Sequence, residues 1–119
     1  KGGDFMILTN STTGTKREKL GGAGTGTATA YPVEIPDKDG AFIMVTRLEL
    51  DEGASISYHK HEDNEEVYQI ISGRGLYCEE GREKEVTAGD TLLCRMGNSH
   101  GIKNISKEKL ILGAMIAKK

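Results

Sequence analysis

Three histidines and two adjacent glutamates are the residues of this sequence whose types and spacing could build a metal site. His59 and His61 are separated by one residue, and Glu65 and Glu66 follow them closely. In a β-strand, residues i and i+2 point to the same face, so both imidazole rings of such a pair can reach one point in space. His100 is the only other histidine of the chain. Neutral imidazoles and a carboxylate are together ligands that suit a divalent first-row transition metal.

The spacing around these residues resembles the two sequence motifs of the cupin family. The first motif, G-x5-H-x-H-x4-E-x6-G, is matched at Gly53, His59, His61, Glu66 and Gly73. The second motif, G-x5-P-x-G-x2-H-x3-N, is matched at Gly89, Gly97, His100 and Asn104. Arg95 stands where the family usually has proline, which puts the rigidity of the turn before the last histidine in doubt.

The resemblance implies both a fold and a set of metal ligands. Small single-domain cupins fold as an all-β jelly roll, or double-stranded β-helix barrel. By the same resemblance, the metal ligands all point into the barrel, and they are His59, His61, Glu66 and His100. Strand alternation alone does not choose between Glu65 and Glu66, because both faces of the strand that follows carry apolar residues. The motif spacing favours Glu66.

This ligand set bears on the metal and on its chemistry. Four protein ligands would saturate a tetrahedral Zn²⁺, which would then be structural or poorly reactive. Six-coordinate Mn, Fe or Ni is favoured, because two positions would stay open for water, an organic acid, or a substrate with O₂. The resemblance implies a dioxygenase, a decarboxylase or an isomerase acting on a small oxygenated molecule. The alternative is a non-catalytic binding or sensing module whose metal orients a ligand without turnover.

Few other residues are candidates for a part in such chemistry. Strand alternation predicts an interior that is mostly apolar, lined by Met44, Thr46, Ser57, Tyr68, Ile70 and Ile102. Tyr68 is the best candidate for a catalytic hydroxyl, and a core tyrosine with a satisfied hydroxyl is the competing interpretation. Arg95, near the expected mouth of the barrel, is a candidate to hold a substrate carboxylate. The predicted substrate pocket therefore contains Met44, Tyr68, Arg95 and Ile102.

The elements that must position these residues are short strands separated by turns. Apolar runs bounded by Gly, Asp, Asn and Ser favour a sandwich or a barrel. Strands are predicted at residues 27–35, 41–50, 55–61, 66–71, 76–79, 83–86, 90–96, 100–105 and 109–117. In the second of these, the alternate residues from Phe42 to Leu50 form the predicted core face. The last strand is apolar on both faces and is predicted to be buried on both sides.

The N-terminal part is predicted to lie outside the barrel. Residues 1–26 are interpreted as an arm and a glycine-rich loop, with a short helical turn near residues 16–20, and residues 27–119 as a single barrel domain. The glycine-rich run at residues 21–26 lacks the spacing of a phosphate-binding loop. It is therefore interpreted as a loop that needs unusual backbone angles.

Composition argues against several classes of function. Acidic and basic residues nearly balance at a formal net charge of −2, and no basic stripe indicates nucleic-acid binding. The longest apolar stretch, residues 110–117, is too short to cross a bilayer, and the start is not signal-like, so a cytoplasmic protein is expected. Cys78 and Cys94 form no C-x-x-C pair and are expected to be reduced, buried thiols.

The outward positions of the strands predict a homodimer. If His59 and His61 face inward, apolar residues face outward, and these are Ile43, Val45, Ile56, Tyr58, Val67 and Ile71. Such a face needs cover, either from a second copy of the chain or from the N-terminal arm. The expected partners are therefore a small-molecule ligand and a second copy, with no nucleic acid and no membrane.

Overall fold

The computed structural model describes residues 5–36 and 39–118, which form ten β-strands and one 3₁₀ turn. The strands are β1 (Thr15–Glu18), β2 (Thr27–Val33), β3 (Phe42–Leu50), β4 (Ser55–Lys60), β5 (Asn64–Ser72), β6 (Arg74–Glu79), β7 (Arg82–Thr87), β8 (Thr91–Cys94), β9 (Ser99–Asn104) and β10 (Leu110–Lys118). The 3₁₀ turn spans Leu20–Gly22. Within the described ranges, no helix is long and apolar enough to span a membrane. Strands β2–β10 lie within about two residues of the bounds predicted from turn signals and apolar runs.

The strands form two antiparallel sheets with the core between them. The larger sheet has the order β1-β2-β3-β10-β5-β8, and the smaller sheet has the order β4-β9-β6-β7. Because β10 lies between β3 and β5, and β9 between β4 and β6, the chain crosses repeatedly from one sheet to the other. This is the arrangement of a jelly roll, and the all-β prediction is confirmed.

Alternation along β3 shows how the sequence places side chains in the core. Thr46, Leu48 and Leu50 are buried, as predicted, while Arg47 and Glu49 on the opposite face form an ion pair with an Nε–Oε2 distance of 3.1 Å. Phe42 was predicted to share the core face, yet it is 56% exposed. Phe42 lies at the start of β3, beyond the register shift that follows Ile116 in β10, so its side chain lies outside the edge of the core.

The central strand β10 is buried on one face only. Leu110, Leu112 and Ala114 are fully buried between the sheets. The alternate residues Ile111 and Met115 are only partly buried on the outer face of the larger sheet. The prediction that this strand is buried on both sides is therefore wrong for a single copy of the chain, because only its inner face has a second sheet against it.

A bulge in β4 changes which of its residues face the interior. The pairing of β4 with β9 shifts register between Ile56 and His59, and a bulge of this kind interrupts strict alternation. Ile56 and His59 therefore both line the interior, and the prediction that Ile56 points outward is wrong, since it is only 6% exposed. Ser57, predicted to point inward, instead accepts a hydrogen bond from the Ala23 N–H at 3.0 Å. Tyr58 is 50% exposed and faces outward as predicted.

The segment before β2 is more regular than predicted. Residues 15–18 form β1, which pairs with β2, where a helical turn was expected. The sequence Thr-Lys-Arg-Glu has no apolar alternation, so nothing in the pattern indicates a strand there. Gly21, Gly22 and Gly26 all have positive φ, in agreement with a loop of unusual backbone angles at residues 21–26. A domain boundary between residues 26 and 27 stays a prediction.

Candidate metal centre

Four side chains from three regions of the chain converge inside the barrel. His59 belongs to β4, and His61 is the first residue after that strand. Glu66 belongs to β5 and His100 to β9. One ligand atom from each of these residues lies within 4.8 Å of all the others. Three of the four side chains are buried, with exposures of 6% for His61, 5% for Glu66 and 0% for His100. Strand pairing explains the convergence, since β4 and β9 place His59 directly opposite His100.

The closest contacts join Nε2 atoms and one carboxylate oxygen. The Glu66 Oε1 atom lies 3.0 Å from His61 Nε2 and 3.1 Å from His100 Nε2. The two Nε2 atoms of His61 and His100 lie 3.1 Å from each other. The three imidazole rings are arranged edge to face, with all centroid pairs 4.9 Å apart. The Nε2 atoms of His61 and His100 thus meet at the Glu66 carboxylate, with the His59 ring beside them.

The opposite nitrogen of each ring has an oxygen partner. The Nδ1–H of His59 donates to the Ser57 carbonyl oxygen at 2.7 Å, and that of His61 donates to Asn64 Oδ1 at 2.6 Å. His100 Nδ1 lies 3.0 Å from the hydroxyl of Tyr77. That hydroxyl donates its own hydrogen to Glu79 Oε1 at 3.0 Å, so it accepts the hydrogen of the imidazole. In neutral imidazoles with these partners, every Nε2 carries a lone pair and no hydrogen.

This arrangement fits a metal ion. Lone pairs on two nitrogens and a carboxylate oxygen, all within about 3 Å, repel each other unless a cation lies among them. Burial, with His59 nearby, lowers the pKa of His100 to about 4, so that ring is neutral at ordinary pH. Donation of the outer N–H to a carbonyl, amide or hydroxyl oxygen is the usual second contact of a metal-binding histidine. The group could therefore hold a metal ion.

The environment of the Glu66 carboxyl group also favours a cation nearby. Burial raises its pKa, and the neighbouring His61 and His59 act in the opposite direction. A buried carboxylate without a compensating charge is costly, so a divalent ion among the ligands would favour the charged form. Glu65, the neighbour that alternation could not exclude, is only partly buried and does not belong to the group of converging side chains.

The second motif supports the centre through its turn and its asparagine. The turn before β9 is closed by a hydrogen bond from the Asn98 N–H to the Arg95 carbonyl at 3.0 Å, although proline is absent. Two backbone hydrogen bonds, His61 N to Asn98 O at 3.0 Å and Gly97 N to His61 O at 2.6 Å, join this turn to the ligand region. Asn104 is 1% exposed, and its amide nitrogen lies 2.9–3.1 Å from three backbone carbonyls. Its role is therefore structural.

A cavity of about 370 Å³ adjoins His59, His61 and Glu66, while the fully buried His100 is not among its lining residues. It is lined mainly by apolar residues of β2, β3, β4 and β10, and by the N-terminal segment. Met44 and Tyr68, two of the four residues predicted for the substrate pocket, are among its lining residues, and their role toward a substrate stays a prediction. Arg95 and Ile102 are not among its described lining residues, because Arg95 is exposed on the turn before β9 and Ile102 is 2% exposed within the core. Their assignment to the pocket stays a prediction that this geometry does not favour.

Tyr68 lies directly against the candidate ligands. Its ring stacks on the His100 ring, with centroids 4.7 Å apart and planes inclined by 16°. Burial, followed by the nearby Glu66 carboxylate, raises the pKa of Tyr68 well above its ordinary value. The hydroxyl therefore keeps its proton at neutral pH, where it can donate a hydrogen bond but cannot act as a base.

Sequence patterns missed two sets of residues around the centre. Tyr77 and Glu79 form the hydrogen bonds on the side of the His100 ring away from Glu66, but any strand contains residues with their i, i+2 spacing. Thr15 and Arg17 line the cavity from β1, a strand without an apolar pattern. The one available signal was the glycine at position 21, where a Cβ atom would lie 2.7 Å from the Ser57 carbonyl oxygen and 3.0 Å from His59 Nδ1. Such close packing requires glycine.

Comparison with known proteins links these features to relatives. The profile of the family described as Cupin domain matches residues 46–116. The chain is 34% identical over 73 residues to the oxalate-binding protein of Thermotoga maritima. That alignment covers 61% of this chain and 60% of the relative, so it spans less than two thirds of the relative's length.

Two solved structures resemble the fold. A protein from Thermotoga maritima, described as a predicted oxalate decarboxylase, superposes with a TM-score of 0.86 at 27% identity, over 96% of this chain and 100% of its own. An RmlC-like cupin from Shewanella frigidimarina superposes with a TM-score of 0.67 at 17% identity, over 100% of this chain and 92% of its own. The second likeness is one of fold alone.

Proposed function

The chain belongs to the cupin family, as its two motifs predicted, and we propose that it binds one divalent transition-metal ion through His59, His61, Glu66 and His100. One observation carries this proposal. The Nδ1 atoms of all three rings have oxygen partners, while the Nε2 atoms of His61 and His100 lie within 3.1 Å of Glu66 Oε1. His59 completes the group with a ligand atom within 4.8 Å of the others. A cluster held together only by histidine–glutamate hydrogen bonds would instead need hydrogens on Nε2. In these neutral imidazoles the single N–H hydrogen is on Nδ1, where it is donated to the oxygen partner.

The proposed metal is Mn, Fe or Ni, because six-coordination leaves two positions beyond the four protein ligands. Zn²⁺ in a tetrahedral site would be saturated by the same ligands. When bound, such an ion supplies Lewis-acid polarisation of a chelated oxygen. The protein's own part is to orient the imidazoles through their outer hydrogen bonds and to surround the ligand with apolar walls that exclude water.

The proposed ligand is a small oxygenated organic acid held in the cavity beside the metal. The names of two similar proteins, one oxalate-binding and one described as a predicted oxalate decarboxylase, support this class. In an enzyme of the dioxygenase, decarboxylase or isomerase type, Tyr68 would be the proton or hydrogen-bond donor to the bound ligand. Its stacking on His100 places it beside the centre, and its raised pKa keeps it protonated.

A second candidate function is ligand binding or sensing without turnover. Among the described residues that line the cavity, Arg17 and Tyr68 are the only other side chains with a titratable group beside the proposed ligands. Proton transfer in the cavity would thus depend on Tyr68 alone. Turnover of a small-acid panel by the metal-loaded protein, abolished by Tyr68→Phe, would favour the enzyme. Tight binding with no product and no O₂ consumption would favour the binding module.

Metal content after loading and desalting tests the site itself. The adjacent glutamates offer a matched pair of variants, Glu66→Gln at the centre and Glu65→Gln outside it. We expect about one Mn²⁺ per chain in the wild type and in Glu65→Gln. We expect an affinity lower by at least about a hundredfold in Glu66→Gln, because the only ligand charge is lost. Equal metal retention in the two variants would contradict the assignment.

We also propose that the chain forms a homodimer through the outer face of the larger sheet. A row of partly exposed apolar side chains crosses four neighbouring strands there, in register, and comprises Val45, Met115, Val67 and Leu93. A second copy would cover this row and bury the outer face of β10. Sedimentation velocity at micromolar concentration tests the proposal, and a monomer would contradict it.

A further inference from the structure

One wall of the cavity is formed by β1, the strand that sequence patterns placed outside the barrel. Thr15 and Arg17 both line the cavity. In the pairing of β1 with β2, Thr15 lies opposite Ala30 and Arg17 lies opposite Ala28, and both alanines are buried. Residues directly opposite each other in an antiparallel pair share a face of the sheet. Thr15 and Arg17 therefore lie on the face of β1 that lines the cavity, and because both are exposed they stand at its open edge, beside the small alanines.

The backbone that carries Arg17 is held on both sides. Before β1, the Asn10 side-chain amide donates to the Tyr31 carbonyl at 2.8 Å, which fixes the chain against β2. After β1, the Ser57 hydroxyl donates to the Leu20 carbonyl at 3.3 Å, which fixes the 3₁₀ turn against β4. The backbone at Arg17 is thus anchored at the larger sheet and again beside the candidate ligands, and from it the exposed Arg17 side chain lines the cavity.

The charges of the cavity are few and unequal. Among its described lining residues, Arg17 is the only permanently charged cation and Glu66 is the only carboxylate. The ion pairs within the described part of the chain do not include Arg17. A divalent ion on Glu66 and three neutral imidazoles leaves one positive charge, and Arg17 adds a second. A cavity with two positive charges favours a ligand that carries two negative charges.

The size and lining of the cavity add a second constraint. Its volume of about 370 Å³ is within the range of pockets for ligands much larger than a two-carbon acid. The walls beside the centre are aliphatic, with Met44, Leu48, Ile56 and Ile116 among them. A ligand that matches this lining has a hydrocarbon body between its polar ends.

We propose that Arg17 recognises the second carboxylate of an elongated dicarboxylic acid whose first carboxylate, with an adjacent oxygen, chelates the metal. Guanidinium groups bind carboxylates through two parallel N–H···O hydrogen bonds, which suits this role. The inference rests on the proposed metal centre and deepens it, since it names the ligand as a dianion with an apolar middle. Arg17 is the specificity-determining residue of the cavity.

Matched pairs of acids test this assignment by isothermal titration calorimetry on the Mn²⁺-loaded protein. Malate and 2-hydroxybutanoate differ only in a terminal carboxylate or methyl group, and 2-hydroxyglutarate and 2-hydroxypentanoate form the same pair one carbon longer. In the wild type, we expect the diacid of at least one pair to bind about tenfold more tightly than its partner. In Arg17→Gln, we expect this preference to fall to within about twofold, with the affinity for the monoacid unchanged.

Lys16→Gln is the control, because Lys16 is adjacent in sequence but lies on the opposite face of β1. It removes the same charge and should keep the wild-type preference. Equal affinities within both pairs in the wild type, a preference that survives in Arg17→Gln, or an equal loss in Lys16→Gln would overturn the role of Arg17. Each of these results leaves the metal centre intact, since Mn²⁺ content is measured before the titration. A wild type that takes up no Mn²⁺ would overturn the proposed function, and this inference with it.

Discussion

Replacing Tyr77 with phenylalanine removes the one hydroxyl that orients the His100 ring. The hydroxyl accepts a hydrogen bond from His100 Nδ1 at 3.0 Å and donates one to Glu79 Oε1 at 3.0 Å. Burial, together with the Glu79 carboxylate, raises the pKa of Tyr77 far above its ordinary value, so the hydroxyl keeps the hydrogen that it donates. In the variant, the imidazole has no acceptor for its Nδ1–H and can move its hydrogen to Nε2, the atom proposed to bind the metal.

Two magnitudes follow from these contacts. Loss of an outer hydrogen bond of a ligating histidine typically lowers metal affinity about 10- to 100-fold, which corresponds to about 1.4–2.7 kcal/mol. The buried Nδ1–H without a partner lowers the free energy of unfolding of the metal-free protein by about 1–3 kcal/mol. Glu79→Gln keeps an oxygen acceptor for the tyrosine hydroxyl, so we expect a much smaller loss of metal affinity in that variant.

Competition with a chelator measures the Mn²⁺ affinity of each variant, and urea unfolding of the metal-free form measures its stability. Tyr58→Phe is the matched control, because it removes a hydroxyl that accepts only the Gly81 N–H at 3.2 Å on the surface of the smaller sheet. We expect its Mn²⁺ affinity to equal that of the wild type. If Tyr77→Phe bound Mn²⁺ as tightly as Tyr58→Phe, the argument that the outer hydrogen bonds prepare the Nε2 atoms would be refuted.

Three further predictions test the structure around the centre. Gly21→Ala should lower both the melting temperature and the Mn²⁺ affinity more than Gly22→Ala. Both glycines have positive φ, so alanine at either position costs about 1 kcal/mol or more, but only at Gly21 would the new Cβ atom meet Ser57 O at 2.7 Å. Equal effects of the two substitutions would contradict this prediction. Cys94 is fully buried and burial raises its pKa to about 11, so at pH 8 it holds almost no reactive thiolate. Iodoacetamide should therefore label the partly exposed Cys78 first, as measured by peptide mass spectrometry. Equal labelling of the two cysteines would contradict this prediction. Val67→Lys puts a charge in the middle of the outer apolar row, so sedimentation should show a monomer where the wild type is a dimer, while a far-ultraviolet spectrum like that of the wild type excludes unfolding as the cause.

Local patterns predicted most of the fold. Short apolar runs between glycine, aspartate and asparagine turns predicted β2–β10, because turn chemistry and burial act within a few residues. The two motifs brought His59 and His100 together across a long stretch of chain, which strand periodicity alone could not do. The choice of Glu66 over Glu65 also came from motif spacing, since both faces of β5 are apolar.

The features that the sequence did not predict depend on contacts between distant segments. The bulge in β4, which turns Ile56 inward and Ser57 outward, is set by the pairing with β9 and by the 3₁₀ turn that packs against it. The strand β1 has a polar sequence and owes its form to its pairing with β2. The outer face of β10 is only partly buried, because the second sheet packs against the inner face alone. An apolar sequence does not distinguish burial by a second sheet from burial by a second copy of the chain.

An anomalous-scattering crystal structure of the Mn²⁺-loaded protein tests the metal centre most directly. We predict a single strong peak inside the barrel, about 2.0–2.3 Å from the Nε2 atoms of His59, His61 and His100 and from a carboxylate oxygen of Glu66. The three Nδ1 atoms should keep their contacts with Ser57, Asn64 and Tyr77. No peak at this position, or a peak bound by Nδ1 atoms or by Glu65, would contradict the account.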